Sequence, residues 1–236
     1  MTRVQVKECL SILLLALCCA GCPREAPTTG GEAAQGEAAA PVDEPEFDPF
    51  TPEPEFRLLT LADFEHFPAD ATTWSEQNDQ LVCSGQPKGY AYTRDDFANF
   101  TLRCEFKFVP AGPAPDAEAA LKFNTGFMIH IQEPHKVWPR SLEVQGRFDE
   151  MASIKSNGGV PALETVDDAA AREAARLPVG QWNAVEIVSR NGELSATLNG
   201  LLIATSKAGE LTSGKLGLQS EGFEVHFKHL RVRSDP

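Results

Sequence analysis

Residues 100–108 read Phe-Thr-Leu-Arg-Cys-Glu-Phe-Lys-Phe. Phe100, Leu102, Cys104, Phe106 and Phe108 alternate with Thr101, Arg103, Glu105 and Lys107. Successive side chains of a strand point to opposite faces, so this stretch reads as a strand with one face in a core. The same period of two recurs beyond the chain's midpoint. Phe127, Ile129 and Ile131 alternate with Met128, His130 and Gln132; Leu142, Val144, Gly146 and Phe148 alternate with Ser141, Glu143, Gln145 and Arg147. Asn191-Gly192 and Asn199-Gly200 separate three more strand-like runs, 182–189, 194–198 and 201–206. Asn-Gly takes the positive φ angles of a type I′ turn, which predicts a three-stranded meander. Two further strands follow at 214–219 and 223–233, and the apolar phase shifts from Phe227 to Leu230, which predicts a bulge near His229. Many short strands joined by turns indicate a β-sandwich. One Ala-rich, charged segment, 164–176, is expected to form a short helical insertion.

The N-terminal quarter is different. Arg3 and Lys7 precede an apolar core from Leu10 to Leu17, and Leu17-Cys18-Cys19-Ala20-Gly21-Cys22 closes it. Residues 1–22 thus read as a secretory signal ending in a bacterial lipobox, with Cys22 as the lipidated residue. Cys19 stands where leucine is usual. Residues 23–56 hold nine acidic residues and Arg24 as the sole base, which accounts for eight of the chain's thirteen excess negative charges. With seven prolines and little to bury, they read as a disordered, extended tether. The expected product is an exported envelope protein, held by lipid to a bacterial membrane with residues 57–236 as its domain. The acidic balance argues against nucleic acid as a partner. Cys83 and Cys104 remain in the domain, as a disulfide or as two buried thiols.

The polar side of 141–148 presents Ser141, Glu143, Gln145 and Arg147 in a row, roughly 6.5–7 Å apart. His130 and Gln132 line the neighbouring strand. A shared face would bring a carboxylate, an amide, a guanidinium and an imidazole together, as suits a polyhydroxylated ligand; an ordinary solvated face has the same pattern. The connecting loop carries Lys136, Trp138 and Arg140, and a Trp ring either stacks on a sugar or covers the core edge. His130, Glu133 and His135 form no compact metal motif. No nucleophile elbow, P-loop, dinucleotide fingerprint or His-Glu-x-x-His helix is present.

Several segments, in order, resemble the 3-keto-disaccharide hydrolase domain family. They are Gly85-Gln86-Pro87-Lys88-Gly89-Tyr90, Phe97-Ala98-Asn99-Phe100-Thr101-Leu102-Arg103, Asn124-Thr125-Gly126-Phe127, Lys136-Val137-Trp138-Pro139-Arg140-Ser141-Leu142-Glu143-Val144-Gln145, Gln181-Trp182-Asn183, Leu198-Asn199-Gly200 and Gly217-Leu218-Gln219-Ser220-Glu221-Gly222. Thr125 replaces the family's serine, and 148–161 departs from its aromatic and glycine pattern. The resemblance implies a concanavalin A-like jelly roll. It also implies cleavage of 3-keto-glycosides by hydrolysis or by C2 deprotonation and elimination. Glu143 and His130 are then the expected catalytic pair, with Gln145, Lys136, Trp138, Arg140, Gln219 and Glu221 binding substrate. The expected partner is carbohydrate, and a divalent metal ion is the one cofactor the chemistry suggests. The alternative is a non-catalytic, lectin-like carbohydrate-binding module on the same fold.

Overall fold

A computed structural model of the protein describes residues 50–69 and 72–235. The signal at 1–22, the lipidation site Cys22 and the tether as far as residue 49 lie outside the described residues. Fifteen strands are described: β1 (Arg57–Leu58), β2 (Phe64–Phe67), β3 (Trp74–Gln77), β4 (Gln80–Cys83), β5 (Gly89–Phe97), β6 (Phe100–Phe108), β7 (Gly126–Ile131), β8 (Ser141–Gln145), β9 (Ile154–Asn157), β10 (Thr165–Asp167), β11 (Asn183–Arg190), β12 (Glu193–Leu198), β13 (Leu201–Ser206), β14 (Gly214–Ser220) and β15 (Val225–Ser234). One antiparallel sheet runs β10-β13-β12-β11-β6-β15-β4-β3, with β1 added against β15; the other runs β2-β5-β14-β7-β8-β9. Together they form the concanavalin A-like jelly-roll sandwich.

The alternating strand of the sequence lies inside the larger sheet, and its five apolar side chains are all buried. Phe106 reaches across to Phe127 of the smaller sheet at 5.4 Å between ring centres, edge to face, and Phe227 completes the cluster. Asn191, Gly192, Asn199 and Gly200 all have positive φ, as the meander requires. The bulge falls at His229, where φ is +51° and the β15–β6 register shifts. The insertion is shorter than its composition suggests. Only Ala169–Ala175 is helical, and Thr165–Asp167 pairs instead with the edge of β13.

Residues 50–56 correct the expected tether boundary. The Phe50 ring stacks on His229 at 3.9 Å. Glu53 accepts hydrogen bonds from Arg231 at 2.7 Å and Arg103 at 2.9 Å; the Arg231 hydrogen bond first, then a backbone hydrogen bond and the charges of both arginines, hold its carboxyl down to about 2. Phe56 is buried beneath the Arg103 guanidinium. Composition predicts solvation for this segment, but the outer face of β6 and β15 supplies partners that composition cannot reveal.

Both domain cysteines are buried free thiols. Cys83 stands across β15 from Phe108, four residues beyond Cys104 on β6. Strand spacings put their Cα atoms on the order of 15 Å apart, well beyond disulfide reach of ~7 Å.

Candidate active site on the six-stranded sheet

Cross-strand register places Glu65, Tyr92, Gly217, Met128, Glu143 and Lys155 in one row spanning all six strands of the smaller sheet. Phe127 and Val144, one residue away, point into the core, so this row faces outward. The next row carries Phe67, Tyr90 and Gln219, followed by Gly126 and Gln145. Alternation puts Glu221 and Asn124 one row further along the same face.

Gly126 is the centre of the arrangement. A Cβ there would overlap Gln219 Oε1 and stand 2.5 Å from Glu143 Oε1. The missing side chain is what lets these two polar groups converge over the sheet. Thr125 fixes the approach from below, since its hydroxyl donates to the Gln219 carbonyl at 2.9 Å. The Glu143 side chain is reached from the other side by Asn157, whose Nδ2 donates to Oε2 at 2.6 Å.

These contacts leave Glu143 only 4% exposed. Burial raises its carboxyl above the usual carboxylate range. Asn157, the nearby Gln219 amide and the Lys155 charge pull the other way, while the charge of Glu221 pushes with burial. Gln219 is 2% exposed, and its Nε2 has no aligned hydrogen-bond partner among the described residues. Asn124 Oδ1 is likewise buried and unpaired. Glu221 is 7% exposed, and its Oε2 lies 3.2 Å from Lys88 Nζ. Burial raises the Glu221 carboxyl as well, against the hydrogen bond and charge of Lys88.

Met128 is fully buried although it faces outward, packed with Tyr90, Tyr92 and Ile131 in a cluster that the loop from β7 to β8 joins. His135 of that loop stacks on Tyr92 at 4.0 Å, and its Nδ1 is 2.8 Å from the Tyr90 hydroxyl. Burial, aided by the hydrogen bond to Glu65, pushes Tyr92 up to about 12, so both tyrosines serve here as neutral anchors. This small second core seats the loop beside the Glu143 row.

The structure therefore brings Glu143, Gln219 and Glu221 onto one face, and places Gln145 there too. Gln145 Oε1 is committed to the backbone N–H groups of Gly146 and Arg147, at 2.9 and 2.8 Å. His130 is a correction. Two residues, Ile129 and His130, stand opposite Leu216 alone, and His130 has φ +55°. This bulge breaks the alternation and turns the imidazole away from the outer face. It packs edge-on to Phe100 of the other sheet and lies near the carbonyls of Leu211 and Ala98, fully buried. His130 and Glu143 do not meet. Arg140 is a second correction, since it falls on the opposite side of β8 from Glu143 and pairs with Glu210. Lys136 and Trp138 project into solvent from the loop, Trp138 being 43% exposed, and neither makes a hydrogen bond or ion pair with Glu143, Gln219 or Glu221 among the described residues.

Among the described residues no three His, Cys, Asp or Glu side chains gather as a ligand set. Glu143 and Glu221 are the carboxylates at hand, but Asn157 and Lys88 each occupy one of their oxygens, and His130 faces the core. The donors present do not make a dedicated metal centre. Sequence reasoning overlooked Asn157 and Lys155, which lie in the stretch that departs from the family pattern. It quoted Lys88 and Asn124 within motifs without giving them roles. A residue's cross-strand partner is invisible until the sheet order is known.

No curated protein matches the chain. Among solved structures, the fold is similar to that of two candidate glycosyl hydrolases from Parabacteroides distasonis. One is 20% identical, with 74% of this chain and 89% of that chain covered at a TM-score of 0.53. The other is 19% identical, with 69% and 90% covered at 0.51. A carbohydrate-binding module from Bacillus subtilis shares the fold at 10% identity, 73% and 96% coverage and a TM-score of 0.50. The family described as the 3-keto-alpha-glucoside-1,2-lyase-like domain matches residues 60–233, which span Lys88, Asn124, Gly126, Glu143, Gln219 and Glu221. The chain belongs to that carbohydrate-active family.

Proposed function

We propose that the domain cleaves 3-keto-glycosides, with Glu143 as the base that removes the proton from C2. The observation that carries this reading is a nearly buried carboxyl, raised above its ordinary range, oriented by Asn157 and set beside the unpaired amide of Gln219. A ketone at C3 acidifies the C2–H bond. A desolvated carboxylate near that hydrogen is a stronger base than one in water, because it gives up no hydration on accepting the proton. The enediolate that forms needs donors aimed at its oxygen, and the buried Gln219 amide beside Glu143 carries one in Nε2. Collapse of the enediolate expels the C1 oxygen, and water can add to the unsaturated product.

The test is turnover of a chromogenic 3-keto-glucoside by the purified domain, with and without chelator and with added divalent metals. Release of chromophore together with an unsaturated or hydrated 3-keto sugar is expected. Saturable sugar binding without turnover would instead establish the carbohydrate-binding-module reading.

The domain is further proposed to sit outside a bacterial membrane, tethered by lipid on Cys22. The sequence of residues 1–22 supports this. Metabolic labelling with a fatty acid should mark the native protein and not Cys22→Ser; an unlabelled native protein removes the anchor.

A further inference from the structure

We propose that Glu221 is a second catalytic residue, the acid that gives a proton to the departing C1 oxygen on the far side of Gln219 from Glu143. The proposal rests on the C2-deprotonation reading above and adds the group which that reading leaves unassigned. Two proton carriers are needed, one for the C2 hydrogen and one for the leaving oxygen. The imidazole expected for the second task, His130, faces the core.

Among the described residues, Glu143 and Glu221 are the two carboxyl side chains that are buried. Glu221 follows the end of β14, two residues past Gln219, and its charge acts on Glu143. Natural carboxylates are seldom buried without a partner that fully compensates them. Glu221 has Lys88, which is itself 55% exposed and touches one oxygen. Gln219 Nε2 and Asn124 Oδ1 lie on the same face, buried and unpaired. Orphaned buried polar atoms are uncommon enough to need a reason. A donor between two buried carboxyls, with an acceptor one row beyond it, is matched by the hydroxyls of a sugar, each of which both donates and accepts.

The step balances without a further reactant. The C2–H bond breaks, its proton goes to Glu143, and its electron pair enters the enediolate. As the C3 carbonyl re-forms, that pair becomes the C1–C2 double bond. The C1–O bond breaks with its pair on the leaving oxygen, which takes the proton of Glu221. Lys88 then faces the resulting carboxylate, and exchange with water returns both groups to their starting states.

Leaving-group dependence separates this role from simple binding. A p-nitrophenolate departs without an acid, whereas an alkoxide does not. With p-nitrophenyl and methyl 3-keto-glucosides, Glu221→Gln is expected to lose about 100-fold or more in kcat/KM on the methyl glycoside and less than about tenfold on the nitrophenyl one. Glu143→Gln is expected to lose comparably on both. Equal losses for Glu221→Gln, or no loss on the methyl glycoside, overturn the role of Glu221 while leaving the base in place. No turnover of either substrate by the wild-type domain overturns the lyase reading and this role together. Should the glutamine variant fail to fold, Glu221→Asp decides. Its shorter reach must penalise the methyl glycoside more than the nitrophenyl one, and an equal penalty overturns the proposal.

Discussion

The two outer faces of the sandwich treat charge in opposite ways. On the nine-stranded sheet, Arg103 pairs with Glu186 at 2.6 Å and with Glu53 at 2.9 Å, and Glu105 pairs with Lys228 at 3.2 Å. All of these groups remain partly exposed, and Trp182 lies between Lys107 and Lys228. Water and a full set of partners keep these charges cheap and chemically quiet. On the six-stranded sheet, Glu143 and Glu221 are buried beside unpaired amide atoms. There desolvation raises carboxyl pKa values, a feature concentrated at functional sites. A polar strand face is thus not a site in itself; what distinguishes the second face is that its polar groups are dry.

The strongest probe of this contrast is Glu143→Gln. It should lower turnover by about 10²–10⁴-fold, equivalent to roughly 3–5 kcal/mol of barrier. The same change should raise stability at neutral pH. Burial lifts the folded-state pKa of Glu143 above its ordinary 4.5, so the protonated form favours folding. That contribution is present below pH 4.5 and is lost as pH rises through the folded-state value. The difference in melting temperature between variant and wild type should therefore open above about pH 4.5. A variant less stable than wild type at pH 7 would mean that Glu143 is a well-compensated structural carboxylate. Phe56→Ala tests the other face. Loss of this buried ring should cost about 3 kcal/mol in denaturant unfolding with kcat unchanged, and an undiminished midpoint would return residues 50–56 to the tether. Gly126→Ala should cost about 1–3 kcal/mol and most of the turnover, as the new methyl group displaces Gln219 and Glu143. Retained activity there would show that the two groups need not converge. The smallest effect belongs to Glu186→Gln, the same chemical change as the first on a wet face. It should alter stability by less than about 1 kcal/mol and leave turnover alone.

How much of this was readable in the chain follows from the range of each interaction. The strand 100–108, the Asn-Gly turns and the His229 bulge are local and were legible. The bulge at 129–130 was not, because the run Phe127 to Gln132 alternates without interruption. Only the register against Leu216 shows that two residues share one place. Likewise Arg140 lies one residue from Ser141 in a promising loop, yet it points to Glu210, seventy positions away. Asn157 gave no signal, since its importance comes from β9 lying beside β8.

By itself, the sequence determined the sandwich, its meander and the family, because period-two burial and turn chemistry act within a few residues. The tertiary structure alone decided which polar side chains share a dry surface. That outcome depends on sheet order, register and a single bulge, and each of these is set by contacts between segments far apart in the chain.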